Sequence, residues 1–164
     1  MAIYAAQPMT KRLAQTIGQW EYPPPYTMYS LTSDPNIVEE LMDGSYWAVI
    51  DDRGDLQGYY CVGPNARVLG GESVYGELLD ENVLDIGLGM NPNYVGTGNG
   101  RSFVTAVLEF AAAKQPVQRF RLTVAAFNRR AIRVYEALGF RSVGQFPARH
   151  QHNVVFVVMV LQTG

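Results

Sequence analysis

Apolar and polar positions change period several times along the chain, and each change marks an element. Tyr46-Trp47-Ala48-Val49-Ile50 is an apolar run rich in aromatic and β-branched residues, which predicts a strand. The polar Asp51-Asp52-Arg53-Gly54-Asp55 predicts a hairpin turn, and Leu56 to Val62 the returning strand. Gly63 to Gly76 is glycine-rich and predicts a loop, after which Asn82 to Met90 predicts a central strand. The period then becomes helical. Over Arg101 to Lys114, Phe103, Val104, Val107, Leu108 and Ala111 fall on one side, and Gln115-Pro116 ends the run. Phe120 to Ala126 predicts a strand and Asn128 to Leu138 a helix, capped by Asn128 and stopped by Gly139. Arg141 to Pro147 and Val154 to Leu161 predict a terminal antiparallel hairpin around residues 148–153. Upstream, Thr10 to Gln19 predicts a helix. The order predicts an α/β (α+β) fold, a mixed and mainly antiparallel sheet of about six to seven strands with helices on both faces.

Composition narrows the class. At 164 residues the chain is expected to form a single domain, 1–164, with a core of its own. A 48% hydrophobic and 17% charged chain reads as globular. A net charge of −2 argues against nucleic acid as a partner. No apolar run reaches membrane-spanning length, so no membrane partner is expected. The lone cysteine, Cys61, suits a reducing compartment, and a cytoplasmic location is expected. It reads as a core thiol, and His150-Gln151-His152 as a polar hairpin tip, so no metal is expected. Tyr22, Tyr26 and Tyr29 surround Pro23-Pro24-Pro25, an extended or turn segment packed by its own rings or walling a pocket.

The candidate chemistry starts at Leu84 to Gly100, LDIGLGMNPNYVGTGNG, where a strand runs through glycines into a helix. That geometry aims several main-chain N–H groups and a helix N-terminus at one spot suited to phosphate. Three loops compete with a plain βα turn. A Walker A loop lacks its lysine here, because Arg101-Ser102 follows Gly100. A dinucleotide fingerprint lacks its later acid, since that region reads Val117-Gln118-Arg119-Phe120-Arg121. The third is an acyl-CoA loop, Q/R-x-x-G-x-G/A, which Val95-Gly96-Thr97-Gly98-Asn99-Gly100 fits except at Val95.

Further on, NRRAIRVYEALGF from Asn128 to Phe140 carries N-x-x-A-x-x-x-Y-x-x-x-G-F. Asn128, Ala131, Ile132 and Tyr135 share one helix face. In order and spacing, with the strand and helix between, the loop and this second motif resemble the GCN5-related N-acetyltransferase superfamily over about Val83 to Val143.

The resemblance implies the acyl-CoA N-acyltransferase fold and acetyl-CoA as cosubstrate. It implies direct transfer of the acetyl group to a primary amine in a ternary complex. By position, the main chain of Leu88, Gly89 and Met90 is expected to hold the pantetheine arm, with Met90 N–H as oxyanion donor. Val95, Gly96, Thr97, Gly98, Asn99 and Gly100 are expected to hold the pyrophosphate, with Arg101 and Arg129 or Arg130 near the phosphates. Asn128 matches the pantetheine-binding residue and Tyr135 the general acid for the leaving thiolate. Asp85 is expected as the general base, with Glu72, Glu77, Asp80 and Glu81 as rivals. The acceptor, a small-molecule or peptide amine, stays open, as does a homodimeric state. The alternatives are a CoA-binding regulator without turnover and a transferase for a longer acyl group.

Overall fold

The structure, a computed structural model, describes residues 3–77, 82–151 and 153–164. Its elements in chain order are β1 (Tyr4–Pro8), α1 (Lys11–Gly18), α2 (Ile37–Leu41), β2 (Tyr46–Asp51), β3 (Leu56–Val62) and α3 (Glu72–Glu77). Then follow β4 (Val83–Met90), α4 (Gly100–Lys114), β5 (Arg119–Ala125), α5 (Arg129–Ala137), β6 (Arg141–Pro147) and β7 (Val155–Gln162). The seven strands are ordered β1-β2-β3-β4-β5-β7-β6. The β4–β5 pair is parallel, while β1–β2, β2–β3, β5–β7 and β6–β7 are antiparallel. This is the mixed, mainly antiparallel sheet that the order of elements predicts. Among the described residues, no helix is long and apolar enough to cross a membrane.

The chain forms two compact units, residues 1–61 with 88–107 and residues 62–87 with 108–164. In the first, β1 lies against β2 with Tyr4 opposite Asp51 and Pro8 opposite Trp47. Helix α1 starts at Thr10, whose hydroxyl accepts from Leu13 N–H at 3.2 Å. It buries Ala14 and Ile17, and Gly18 lets α2 approach: a Cβ there would stand 3.0 Å from Ile37 Cγ2. Gly58 does the same for α4, since a Cβ would fall 2.5 Å from the Phe103 ring.

In the second unit, β5 is covered along its length by β7, from Arg119 opposite Gln162 to Ala125 opposite Phe156. Phe120, Leu122, Val124, Phe140, Phe146, Phe156 and Val158 are buried. The parallel ladder of β4 with β5 pairs Val83 with Arg119, Leu84 with Phe120 and Asp85 with Arg121, and there it ends. Strand β4 itself continues to Met90.

Three elements differ from the expectation. Strand β1, Tyr-Ala-Ala-Gln-Pro, is too short and too weakly apolar to show a period, yet it pairs with β2. Helix α2 is one turn long, too short for helical spacing to register. The glycine-rich loop contains helix α3, flanked by Gly71, where a Cβ would stand 2.6 Å from the Phe146 ring. That glycine serves ring packing rather than a turn.

Candidate active site

The end of β4, the glycine loop and the first half of α4, residues 88–107, lie in the first unit. Their anchor is Asn91, whose N–H donates to Gln57 C=O at 2.8 Å and whose amide donates to Leu56 C=O at 2.9 Å. The Asn91 side chain also accepts from Asn93 N–H at 3.0 Å, turning the chain. The loop then closes on itself. Thr97 hydroxyl donates to Tyr94 C=O, and the Asn99 amide donates to Thr97 Oγ1 at 3.1 Å. Gly96 and Gly98 take the left-handed conformation, at φ 78° and 87°. Asn99 starts α4, its carbonyl accepting from Phe103 N–H and Ser102 hydroxyl, both at 3.0 Å.

The side chains of Thr97 and Asn99 therefore hold the loop's shape. What the loop offers outward is main chain, with the first-turn N–H groups of a four-turn helix behind it. A Cβ at Gly98 would meet nothing within 4 Å. A glycine cradle with open space beside it, at a helix N-terminus, fits a pyrophosphate. Val95 is half-buried and supplies no polar side chain, so the fit rests on main chain. Arg101 is exposed on the first turn of α4.

Leu88, Gly89 and Met90, at the end of β4, are half-buried. Here the structure adds two residues. Tyr22 hydroxyl donates to Met90 C=O at 2.6 Å. The Tyr59 ring lies against Gly89, where a Cβ would fall 2.4 Å from Tyr59 Cε1. Gly89 thus makes room for a tyrosine ring. Burial pushes the Tyr22 and Tyr59 phenols well above their ordinary pKa.

Asp85, Asn128 and Tyr135 lie in the second unit. Asn128 Oδ1 accepts from Ala131 N–H at 3.2 Å, the cap that starts α5. Tyr135, two turns further along the same face, is 8% exposed, its ring edge-on to Phe140 with centroids 5.8 Å apart. Gly139 stops the helix at φ 103°. Arg129 and Arg130 are exposed on its first turn.

Asp85 stands in surroundings its sequence position did not announce. It is 4% exposed and lies opposite Arg121, itself 1% exposed. Arg121 donates from Nε to Asp85 Oδ1 and from a terminal nitrogen to Oδ2 at 2.7 Å. Arg67 donates to Oδ2 at 2.8 Å. The Arg121 guanidinium also lies 4.9 Å over the Tyr75 ring and donates to Tyr75 C=O at 3.3 Å. Tyr75 hydroxyl accepts from Val68 N–H at 3.0 Å and shares a 2.6 Å hydrogen bond with Thr123. The carboxylate joins β4 to β5 and the 64–71 segment, and Arg121 extends the link to α3. Both its oxygens already hold guanidinium protons, a poor starting point for a base.

Among the rival acids, Glu72 is exposed. Its carboxyl is held below the usual range, first by its own N–H and that of Gly70, and also by Arg149 at 3.0 Å. The Glu77 side chain, Asp80 and Glu81 lie outside the described residues, as does His152. Cys61 is a buried free thiol.

Arg121 and Tyr22 were the residues to find in the sequence. The signal for Arg121 is a lone charge inside the apolar strand Phe120–Ala125. Tyr22 stands out only as part of its aromatic cluster.

The model of the Acetyltransferase (GNAT) family matches residues 14–140. A search of curated protein sequences finds no match. Among solved structures, a GNAT-family acetyltransferase from Bacillus anthracis is 17% identical, with 99% of this chain and 98% of that one covered and a TM-score of 0.69. An aminoglycoside acetyltransferase in complex with coenzyme A is 20% identical, with coverage of 97% and 94% and a TM-score of 0.70. A spermidine/spermine N-acetyltransferase from Vibrio cholerae is 15% identical, with coverage of 98% and 92% and a TM-score of 0.65. At such identities the structures speak for the fold, and the match over residues 14–140 speaks for the family: the chain belongs to the GNAT acetyltransferases.

Proposed function

We propose that this protein transfers the acetyl group of acetyl-CoA directly to a primary amine in a ternary complex. One observation carries the reading. The β4–β5 ladder stops at Asp85 while β4 runs on to Met90 and into a glycine loop that opens a helix. A strand end released from its neighbour offers main-chain groups to an extended ligand, and the loop offers N–H groups to its phosphates. The names of the structural neighbours, spermidine and aminoglycoside acetyltransferases among them, support an amine as the acceptor.

In this reading the pantetheine arm lies along Leu88, Gly89 and Met90, and the pyrophosphate on Gly96 to Gly100, with Arg101 nearby. Asn128 binds the arm. The amine nitrogen attacks the thioester carbonyl carbon, the carbon–sulfur bond breaks, the thiolate takes a proton from the Tyr135 phenol, and the proton that the nitrogen sheds as the amide forms restores that phenol. With free pKa values of about 10 and about 8.5, phenol and thiol are matched for that transfer. The incoming ammonium must lose a proton first. Asp85 is assigned a positioning role, because its oxygens are committed to Arg121 and Arg67. The proton goes instead to Glu77, Asp80 or Glu81, the remaining rival acids before β4.

Release of free CoA thiol against a broad panel of amines tests the reading. Thiol release that requires both acetyl-CoA and an amine supports it. Acetyl-CoA binding with no release for any amine makes the protein a CoA-binding regulator instead.

A further inference from the structure

We infer that Tyr22 binds the acceptor: its phenol oxygen takes a hydrogen bond from the amine N–H beside the end of β4, against an aromatic wall that favours a cation. This rests on the acetyl-transfer reading above.

A phenol has one proton to give and lone pairs to receive with. Tyr22 gives its proton to Met90 C=O at 2.6 Å. What remains on the oxygen is acceptor capacity, strengthened by the bond it donates. Burial keeps the group a neutral phenol well above neutral pH. The Met90 carbonyl is occupied, so the Tyr22 oxygen presents acceptor character in its place, one hydrogen bond out from the strand. The thioester is assigned to that strand end, so an amine bound at this oxygen stands beside the carbonyl it attacks.

The backbone and ring of Tyr22 are held by their own segment. Tyr22 N–H donates to Ser30 Oγ at 2.9 Å, and Leu31 N–H donates to Trp20 C=O at 3.2 Å, closing residues 20–31 on themselves. Tyr22 meets Tyr29 edge-on, and Tyr29 stacks on Tyr26, both at 6.5 Å. Trp20 and Tyr46 each lie 6.1 Å from Tyr59, whose ring covers Gly89. Tyr46 hydroxyl gives its proton to the Glu40 carboxylate at 2.7 Å. Trp20 and Tyr46 are buried and back the cluster, while the half-buried rings of Tyr22, Tyr26 and Tyr29 are the ones whose faces attract a cation, and the exposed Glu40 carboxylate at the edge adds to that attraction. The arrangement selects an ammonium with at least one N–H.

The test titrates a panel of alkyl-, benzyl- and diamines by calorimetry onto wild-type and Tyr22→Phe protein saturated with CoA. Each amine is paired with its permethylated quaternary form, which keeps the charge but has no N–H. At least one primary amine should bind wild type, and Tyr22→Phe should weaken it about ten- to hundredfold, the loss of one hydrogen bond to a charged group. The quaternary form should bind both proteins alike. The inference is overturned if no amine binds, if Tyr22→Phe binds equally, or if the quaternary form weakens as much. Should Tyr22→Phe fail to fold, Ser30→Ala takes its place, since it loosens the clasp at Tyr22 N–H and leaves the phenol. The same pattern of loss supports the inference and unchanged amine binding overturns it. Amine binding without thiol release refutes acetyl transfer and leaves this site standing.

Discussion

A carboxylate whose two oxygens accept from guanidinium groups has little left to offer a substrate, and Asp85 is in that position. Breaking such a buried pair leaves a charge without its partner, at a cost of about 3–5 kcal/mol. Asp85→Asn should therefore lower unfolding free energy by roughly that amount, read by urea denaturation, because Arg121 stays buried. Its turnover defect should be the same across the pH range. A defect confined to low pH and rescued at high pH would restore Asp85 as the base, and Glu77→Gln and Glu81→Gln supply the comparison. Tyr135→Phe should behave in the opposite way. The ring still packs on Phe140, so acetyl-CoA binding and melting temperature should hold, while turnover drops about 10–1000-fold. Unchanged turnover would make Tyr135 a core residue only. The pairing of Asp85 with Arg121 could not be read from the sequence, because it depends on the register of two strands far apart in the chain. Local spacing could place Asn128 and Tyr135 on one face, since helix geometry alone decides that.

Elements were legible where a period ran long enough to show. Helices α4 and α5 and the six strands from β2 to β7 fall within a residue or two of expectation. Strand β1 and helices α2 and α3 were not legible, because five or six residues carry too few repeats and their places are set by neighbours. In the proposed function the glycine loop is the element on which cofactor binding turns, and Gly98 is its test. Its φ of 87° strains any residue with a Cβ, by about 1–2 kcal/mol. Gly98→Ala adds only that strain, since its Cβ meets nothing within 4 Å. Gly98→Val adds bulk in the space the pyrophosphate would use. Both variants should melt slightly lower without ligand. Acetyl-CoA should still raise the melting temperature of Gly98→Ala and fail to raise that of Gly98→Val. A full thermal shift in folded Gly98→Val would remove the pyrophosphate from this loop.

Taken as a whole, the molecule carries an unusual load of protonated phenols, and this sets the alkaline limit of its stability. Burial raises the Tyr60 phenol to about 12, and burial likewise lifts Tyr22, Tyr46 and Tyr59, with Glu40 and Cys61 adding to the rise at Tyr46. In the unfolded chain each phenol ionises at about 10. Between that value and the folded one, the unfolded chain has released protons that the folded protein still holds. The unfolded state then binds fewer protons, so unfolding free energy falls as pH rises. The phenols' contribution is complete below about pH 10 and is lost progressively above it. Absorbance at the phenolate band and far-ultraviolet circular dichroism should therefore change together in an alkaline titration. Replacing Tyr60 by Phe removes one of these groups and should flatten the alkaline fall, while the apolar ring keeps its stacking on Trp47. If the buried phenols ionise near their ordinary pKa with the sheet intact, they are open to solvent, and the closed aromatic wall assigned to Tyr22 and Tyr59 goes with them.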